Sequence, residues 1–245
     1  LRFGVWRSTI VDDGSLKKIV EKIKGKDHIL LDAIMGYEAQ VAGLGDKIPG
    51  QSAKNTVVKI LKNRSVKRIR RRRKAAVDYI NSQGFELKIV NGGGTGSLET
   101  TSQEDVVTEV TVGSGFYNSH LFDNYSNFSL SPALFYGVQI VRQPTPDIYT
   151  CHGGGFIASG AIDSTKPPII HLPQHGRFID TEGAGEVQTP VTFKNLKSPL
   201  HIGDPVYLRH AKAGEVCERF NKIITLDGEQ IGEVLTYRGL GLNFG

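Results

Sequence analysis

Only two of the 245 residues are cysteine, Cys151 and Cys217, so no disulfide framework braces this chain and a reducing cytoplasm is the expected compartment. No stretch approaches the ~18 consecutive apolar residues of a membrane-spanning helix, and no membrane partner is expected. The opening residues show no basic segment followed by an apolar one, so export is not expected either. Internal repeats and low-complexity linkers are absent. What is present is ordinary for a globular protein: 39% hydrophobic and 22% charged residues, enough for one large domain or two modest ones with real cores. The chain opens on Leu1 within "LRFGVWRST", which reads as a piece of something longer.

One absence is local. Between Lys59 and Lys74 there are ten basic residues and no acid. The remainder holds 20 basic against 25 acidic residues (30 less ten, against all 25), so a mildly acidic body carries one basic stripe and the net charge of +5 misleads. The stripe, "NRSVKRIRRRRKAAV", has a sharp reading as a nucleic-acid surface, since clustered Lys and Arg neutralise phosphates. Its plainer reading is the solvated face of a surface helix. No aromatic interleaves the cluster and no DNA-binding motif surrounds it, so no nucleic-acid partner is expected. Arg73 falls on the apolar stripe of this helix and is expected to snorkel to water.

Periodicity supplies the organisation. Leu16, Ile19, Val20 and Ile23 predict a short helix from Ser15, closed by Gly25. "HILLDAIMGY" (28–37) has strand length. From Ser52 to Gln83 the pattern is helical, with an expected break near Asn63 where Ser65 would cap a second helix. Val66, Ile69, Ala76, Val77 and Ile80 share its face and Gly84 ends it. "FELKIV" (85–90) and "VVTEVTV" (106–112) predict two further strands. Apolar strands alternating with amphipathic helices imply parallel α/β structure, part of a β/α barrel or a doubly wound sheet. After residue 113 the texture changes to short strand-like runs ("LFYGVQIV", "PVYLRH", "FNKIITLDG", "IGEVLTYRG") between Gly, Pro and Asp turns. Two domains are therefore expected: residues 1–113, α/β, and residues 114–245, all-β.

The glycine cluster Gly92, Gly93, Gly94, Thr95, Gly96 and Ser97 follows a predicted strand and has two readings. As a tight turn it needs no ligand. As a phosphate cradle, its glycines would bring backbone N–H groups close while Thr95 and Ser97 add hydroxyl donors. It is neither a Walker loop nor a properly spaced GxGxxG, but a strand's carboxyl end is where parallel α/β folds bind ligands. Tyr37, Glu38 and Gln40 lie just past another strand. Glu182, Glu186, His210, Lys212, Glu215 and Cys217 crowd the turns of the β region. Each taken singly reads as a turn former or surface charge; together they suggest a site.

"MGYEAQVAGLGD", "VNGGGTGSLET", "TEVTVGSGFY", "HGGGFIASG", "EGAGEVQTP", "RHAKAGEVCERFN" and "TYRGLG" together resemble the bacterial amino acid deaminase/aldolase group, related to D-threonine aldolase and eukaryotic-type D-serine dehydratase. The resemblance runs from Gly4 to about Gly241. It implies a fold-type III pyridoxal phosphate enzyme: the C-terminal part of an alanine-racemase-like β/α (TIM) barrel (1–113), then a D-serine dehydratase-like β domain (114–245). It resolves the glycine loop as the cradle of the cofactor phosphate, with Gly93, Gly94, Thr95, Gly96 and Ser97 as donors. Tyr37 is implied near cofactor and substrate as a catalytic residue. The implied substrate is a D-3-hydroxy amino acid such as D-serine or D-threonine, and the full-length assembly a homodimer.

The sequence departs from the family pattern twice. The Schiff-base lysine, implied on the first barrel strand, has no counterpart motif here. The divalent metal site, a His and a Cys or Asp two residues apart, aligns with "RHAKAGEVCERFN" in three ways: Glu215 with Cys217, His210 with Lys212, or His210 with Cys217. A thiolate, imidazole and carboxylate mixture suits Zn best and Mn less well. Loss of the metal, with Cys217 a buried thiol, is the alternative. Dehydration, retro-aldol cleavage and racemisation all stay open, as does a non-catalytic protein that binds pyridoxal phosphate.

Overall fold

The computed structural model describes residues 5–161 and 163–244. They form two compact units, Leu1–Gly113 with Asn124–Ser129, and Ser114–Asp123 with Leu130–Gly245. The six residues 124–129 thus join the first unit although the texture of the sequence changes at residue 113. Among the described residues no helix is long and apolar enough to cross a membrane.

In the first unit, α1 (Asp13–Ile23) starts two residues earlier than Ser15. Asp12 caps it, its carboxylate accepting from the Ser15 N–H at 2.7 Å while the Ser15 hydroxyl accepts from the Asp12 N–H. Strand β1 (Ala33–Gly36) leads to a single turn, α2 (Gln40–Gly43), and then to α3 (Ser52–Ser82). The predicted break at Asn63 does not occur: α3 is one helix of 31 residues. It contains neither Gly nor Pro, and Ser65 costs a helix interior only a few tenths of a kcal/mol. The helix ends before Gly84, whose φ of +88° is the left-handed conformation glycine adopts freely.

Strand β2 (Ile89–Gly92) begins four residues later than "FELKIV" suggested, and β3 (Glu109–Val110) keeps only two residues of "VVTEVTV". The sheet order is β1-β2-β3, all parallel, with Ala33, Ile34, Met35 and Gly36 opposite Ile89, Val90, Asn91 and Gly92. Between β2 and β3 lie a 3-10 turn (Thr95–Ser97) and α4 (Leu98–Thr101).

The second unit is built on a six-stranded antiparallel sheet. Its strands are β4 (Tyr136–Thr145), β5 (Ile148–His152), β6 (Ile169–Leu172), β7 (Arg177–Phe178), β8 (Gln188–Thr192) and β9 (Pro205–Arg209). They run β6-β9-β4-β5-β8-β7, and the two end strands lie close together, so the sheet nearly closes on itself as a barrel. Alternation on β4 shows why: Tyr136, Val138 and Ile140 are buried while Gly137 and Gln139 face out. They join Tyr149, Cys151, Val191, Phe193, Val206 and Leu208 in one core. The short helix α5 (Gly214–Cys217) follows β9, and a hairpin of β10 (Lys222–Asp227) and β11 (Gln230–Leu235) stands as a separate two-stranded sheet.

This core carries a pH dependence. Burial pushes the Cys151 thiol up from 9.0 to about 11 and raises the Tyr136 phenol as well. Between these values the unfolded chain releases a thiol proton that the folded chain retains, so stability is full below pH 9.0 and falls as pH rises toward about 11. The slope from Cys151 alone is at most about 1.4 kcal/mol per pH unit. The urea midpoint is expected to drop between pH 8.5 and 10.5, and to drop less in Cys151→Ala. Equal drops in both proteins would refute the assignment.

Candidate functional site

The sharpest chemistry in the first unit lies at the carboxyl ends of β1 and β2. These strands end on cross-strand partners, Gly36 and Gly92. A Cβ on Gly92 would stand 2.8 Å from Nη2 of Arg73, and one on Gly36 would stand 3.1 Å from its Nε. The two glycines open a slot, and the Arg73 guanidinium fills it.

Arg73 therefore does not snorkel. It is 6% exposed and shares one helical stripe with Val77 and Ile80. Its Nη2 donates to the Gly36 carbonyl at 2.7 Å and to the Glu38 carboxylate, and its Nη1 pairs with Glu104 at 2.5 Å. Glu38 also accepts from the hydroxyls of Ser97 (3.2 Å) and Thr101 (3.1 Å). Both carboxylates are buried, and burial of three charges holds only because each has a partner. The same stripe explains the outcome, since the alternative to a partner was desolvation without one. Glu104 and Thr101 carried no sequence signal.

The glycine loop sits directly above this cluster. Gly93 has φ +91° and needs glycine, whereas Gly94 is extended at −166°. A Cβ on Gly94 would stand 3.1 Å from Ala42 and 3.4 Å from Cε2 of Tyr37, so the structure does bring Tyr37 to the loop. Tyr37 is half-exposed, with the Arg7 guanidinium 5.8 Å from its ring centroid. The hydroxyl donors expected of the loop are turned inward instead. Thr95 donates to the Val112 carbonyl and Ser97 to Glu38. The amides of Gly94 and Ser97 serve the turn itself, bonding the Ser97 hydroxyl and the Gly94 carbonyl. Those of Gly93 and Gly96 enter none of these bonds. A small anion would draw on such amides, and Gly96 lies in the opening turn of a helical segment, where amides lack intrahelical partners.

Asn91, one residue before Gly92, faces the opposite side of the sheet. It donates to Glu109 at 2.6 Å and to Thr111 at 3.0 Å, a polar row from β2 to β3 and the residue after it that sequence reading missed because Asn91 lies 18 and 20 residues from its partners, just past the predicted strand 85–90.

In the second unit, His210 follows β9 and is fully buried. Neither ring nitrogen has a hydrogen-bond partner among the described residues, and burial, with His120 and Arg209 nearby, lowers its pKa to about 4. Glu215 accepts from the Ser159 N–H at 3.0 Å through one oxygen. Burial raises the Cys217 thiol, which accepts a hydrogen bond from the Tyr117 hydroxyl. His210, Glu215 and Cys217 thus do not form one ligand set: among the described residues, no three His, Cys, Asp or Glu side chains are grouped to hold a metal ion. Lys212 is held by the Ser159 carbonyl at 2.8 Å. Arg209 forms a two-pronged pair with Asp123 (2.6 and 2.9 Å) and donates to the Asn118 carbonyl at 2.9 Å.

Parallel strands with helical crossovers, followed by a nearly closed antiparallel sheet, define the C-terminal part of an alanine-racemase-like β/α barrel and its β domain. Several solved structures share this fold. D-threonine aldolase from Filomicrobium marinum superposes with a TM-score of 0.76 at 14% identity, over 98% of this chain and 61% of that one. D-threo-3-hydroxyaspartate dehydratase from Delftia sp. HT23 gives 0.66 at 15%, over 96% and 62%. An alanine-racemase-like protein from Idiomarina loihiensis gives 0.62 at 10%, over 92% and 60%. The chain spans about three-fifths of the length of these structures. No protein-family model and no curated protein matches it.

Proposed function

We propose that this chain is part of a pyridoxal-phosphate-dependent lyase acting on D-3-hydroxy amino acids such as D-serine or D-threonine. The observation that carries the proposal is the glycine loop at the carboxyl end of β2, with Tyr37 against Gly94 and the Gly93 and Gly96 amides outside the loop's own hydrogen bonds. It is supported by the fold shared with an aldolase and a dehydratase of 3-hydroxy amino acids.

In this reading the loop amides hold the phosphate, and the half-exposed Tyr37 stands beside it. Bound pyridoxal phosphate would supply an electron sink for charge developing at the substrate's α-carbon. The chain's own part is to fix the phosphate, exclude water from the loop floor, and give or take a proton at Tyr37 Oη. Among the described residues, those around His210 do not fit a three-ligand metal centre.

The test uses the full-length protein with pyridoxal phosphate. Pyruvate formed from D-serine marks dehydration; glycine and acetaldehyde from D-threonine mark retro-aldol cleavage. Tyr37→Phe is expected to lower turnover by about 10²–10⁴-fold while cofactor affinity changes by less than about threefold. A protein that neither binds pyridoxal phosphate nor releases either product is not this lyase. Conversion of the D- to the L-amino acid instead would make it a racemase.

A further inference from the structure

We infer that Arg73 is a positioning residue that balances charge beneath the glycine loop, and that Glu104 limits how tightly the loop holds a phosphate. The inference rests on the phosphate-binding reading of the loop.

Three observations carry it. A carboxylate, Glu38, is hydrogen-bonded to two hydroxyls of the loop and the following turn, Ser97 and Thr101, so negative charge lies against the site that would take an anion. A buried carboxylate there opposes phosphate binding, because the interior screens it poorly. The paired glycines Gly36 and Gly92 then admit a guanidinium where any larger residue would collide with it, and Arg73 bonds Glu38 from that slot. Finally, the cluster is not neutral. Arg73 faces both Glu38 and Glu104, which leaves a formal charge of −1 in a site nine-tenths or more buried.

The surplus charge makes the inference separable from a role in folding alone. Arg73 acts on the ligand only through Glu38 and the loop, so it does not touch the substrate. Glu104 makes no bond to the loop residues 93–97. Removing its charge leaves a neutral Arg73–Glu38 pair, and a phosphate above it should bind better. Structural damage would do the opposite.

The experiment titrates the full-length protein with pyridoxal phosphate and, separately, with pyridoxal, in low-salt buffer, following absorbance. The readout is the preference for the phosphorylated form. Glu104→Gln is expected to increase that preference by about threefold to tenfold, from removal of one nearby charge. Glu104→Asp, which keeps the charge, is expected to leave it within about twofold of the wild type. An unchanged or reduced preference in Glu104→Gln, with pyridoxal phosphate still bound by the wild type, overturns the inference and leaves the proposed function standing. A wild type that binds both compounds equally well overturns the phosphate reading itself, and the inference with it.

Discussion

Gly96→Ala is expected to destabilise the first unit by about 1–3 kcal/mol and to abolish pyridoxal phosphate binding. The added methyl group would stand 2.4 Å from the Ala42 carbonyl oxygen and 2.4 Å from Cε1 of Tyr125. Neither neighbour yields easily. Tyr125 is 2% exposed and donates its hydroxyl to that same carbonyl at 2.8 Å. Its ring also stacks on Phe128 at 5.3 Å and carries the Lys62 ammonium 4.1 Å from its centroid. The loop must therefore lift, taking the Gly96 amide out of place. Gly94→Ala is the control, because its nearest contacts, 3.1 and 3.4 Å, are with an alanine methyl and the half-exposed Tyr37 ring. Urea unfolding followed with pyridoxal phosphate titration decides the matter. If Gly96→Ala is no less stable than Gly94→Ala, the close packing beneath the loop is not what the glycine serves.

Arg73→Met should cost more, about 3–5 kcal/mol, the usual result of removing one member of a buried ion pair. Two carboxylates, each with a side chain no more than 4% exposed, would lose their cation at once. The methionine would pack acceptably against Val77 and Ile80, so lost packing cannot account for a loss of that size. Unfolding free energies of wild type and Arg73→Met, compared at pH 7, test this. A difference below about 1 kcal/mol at pH 7 would show that the cluster is solvated after all.

Much of this arrangement was legible in the sequence, though unevenly. The glycine loop stood out because three consecutive glycines after an apolar run have few uses. Tyr37 and Glu38 stood out by following another such run. Arg73 was visible as an oddity, a cation in phase with Val77 and Ile80, but its partners were not. Glu38 and Glu104 lie 35 and 31 residues away, in segments with no periodicity that ties them to α3. Helix α3 was read as two because Ser65 resembles a cap, whereas a cap requires the preceding chain to leave the helix, and nothing between Ser52 and Ser82 forces it out. The strands β5 to β8 were missed for a different reason. They are two to five residues long, and Pro190 sits within β8, so each is too short or too interrupted for alternation to declare itself. Sequence reasoning also grouped His210, Glu215 and Cys217 by nearness along the chain, but Ser159 and Tyr117 engage Glu215 and Cys217 separately.

Helix α3 buries only Arg73, Val77 and Ile80 among its 31 residues. So thin a stripe would tolerate rotation or sliding of a long polar rod. A slip of one residue turns an α-helix through ~100° and moves it ~1.5 Å along its axis. Either motion would carry the Arg73 guanidinium out of a slot two glycines wide. The ion pair thus works as an indexing pin: it sets which of several nearly equivalent seatings the helix takes, and the floor of the loop inherits that choice.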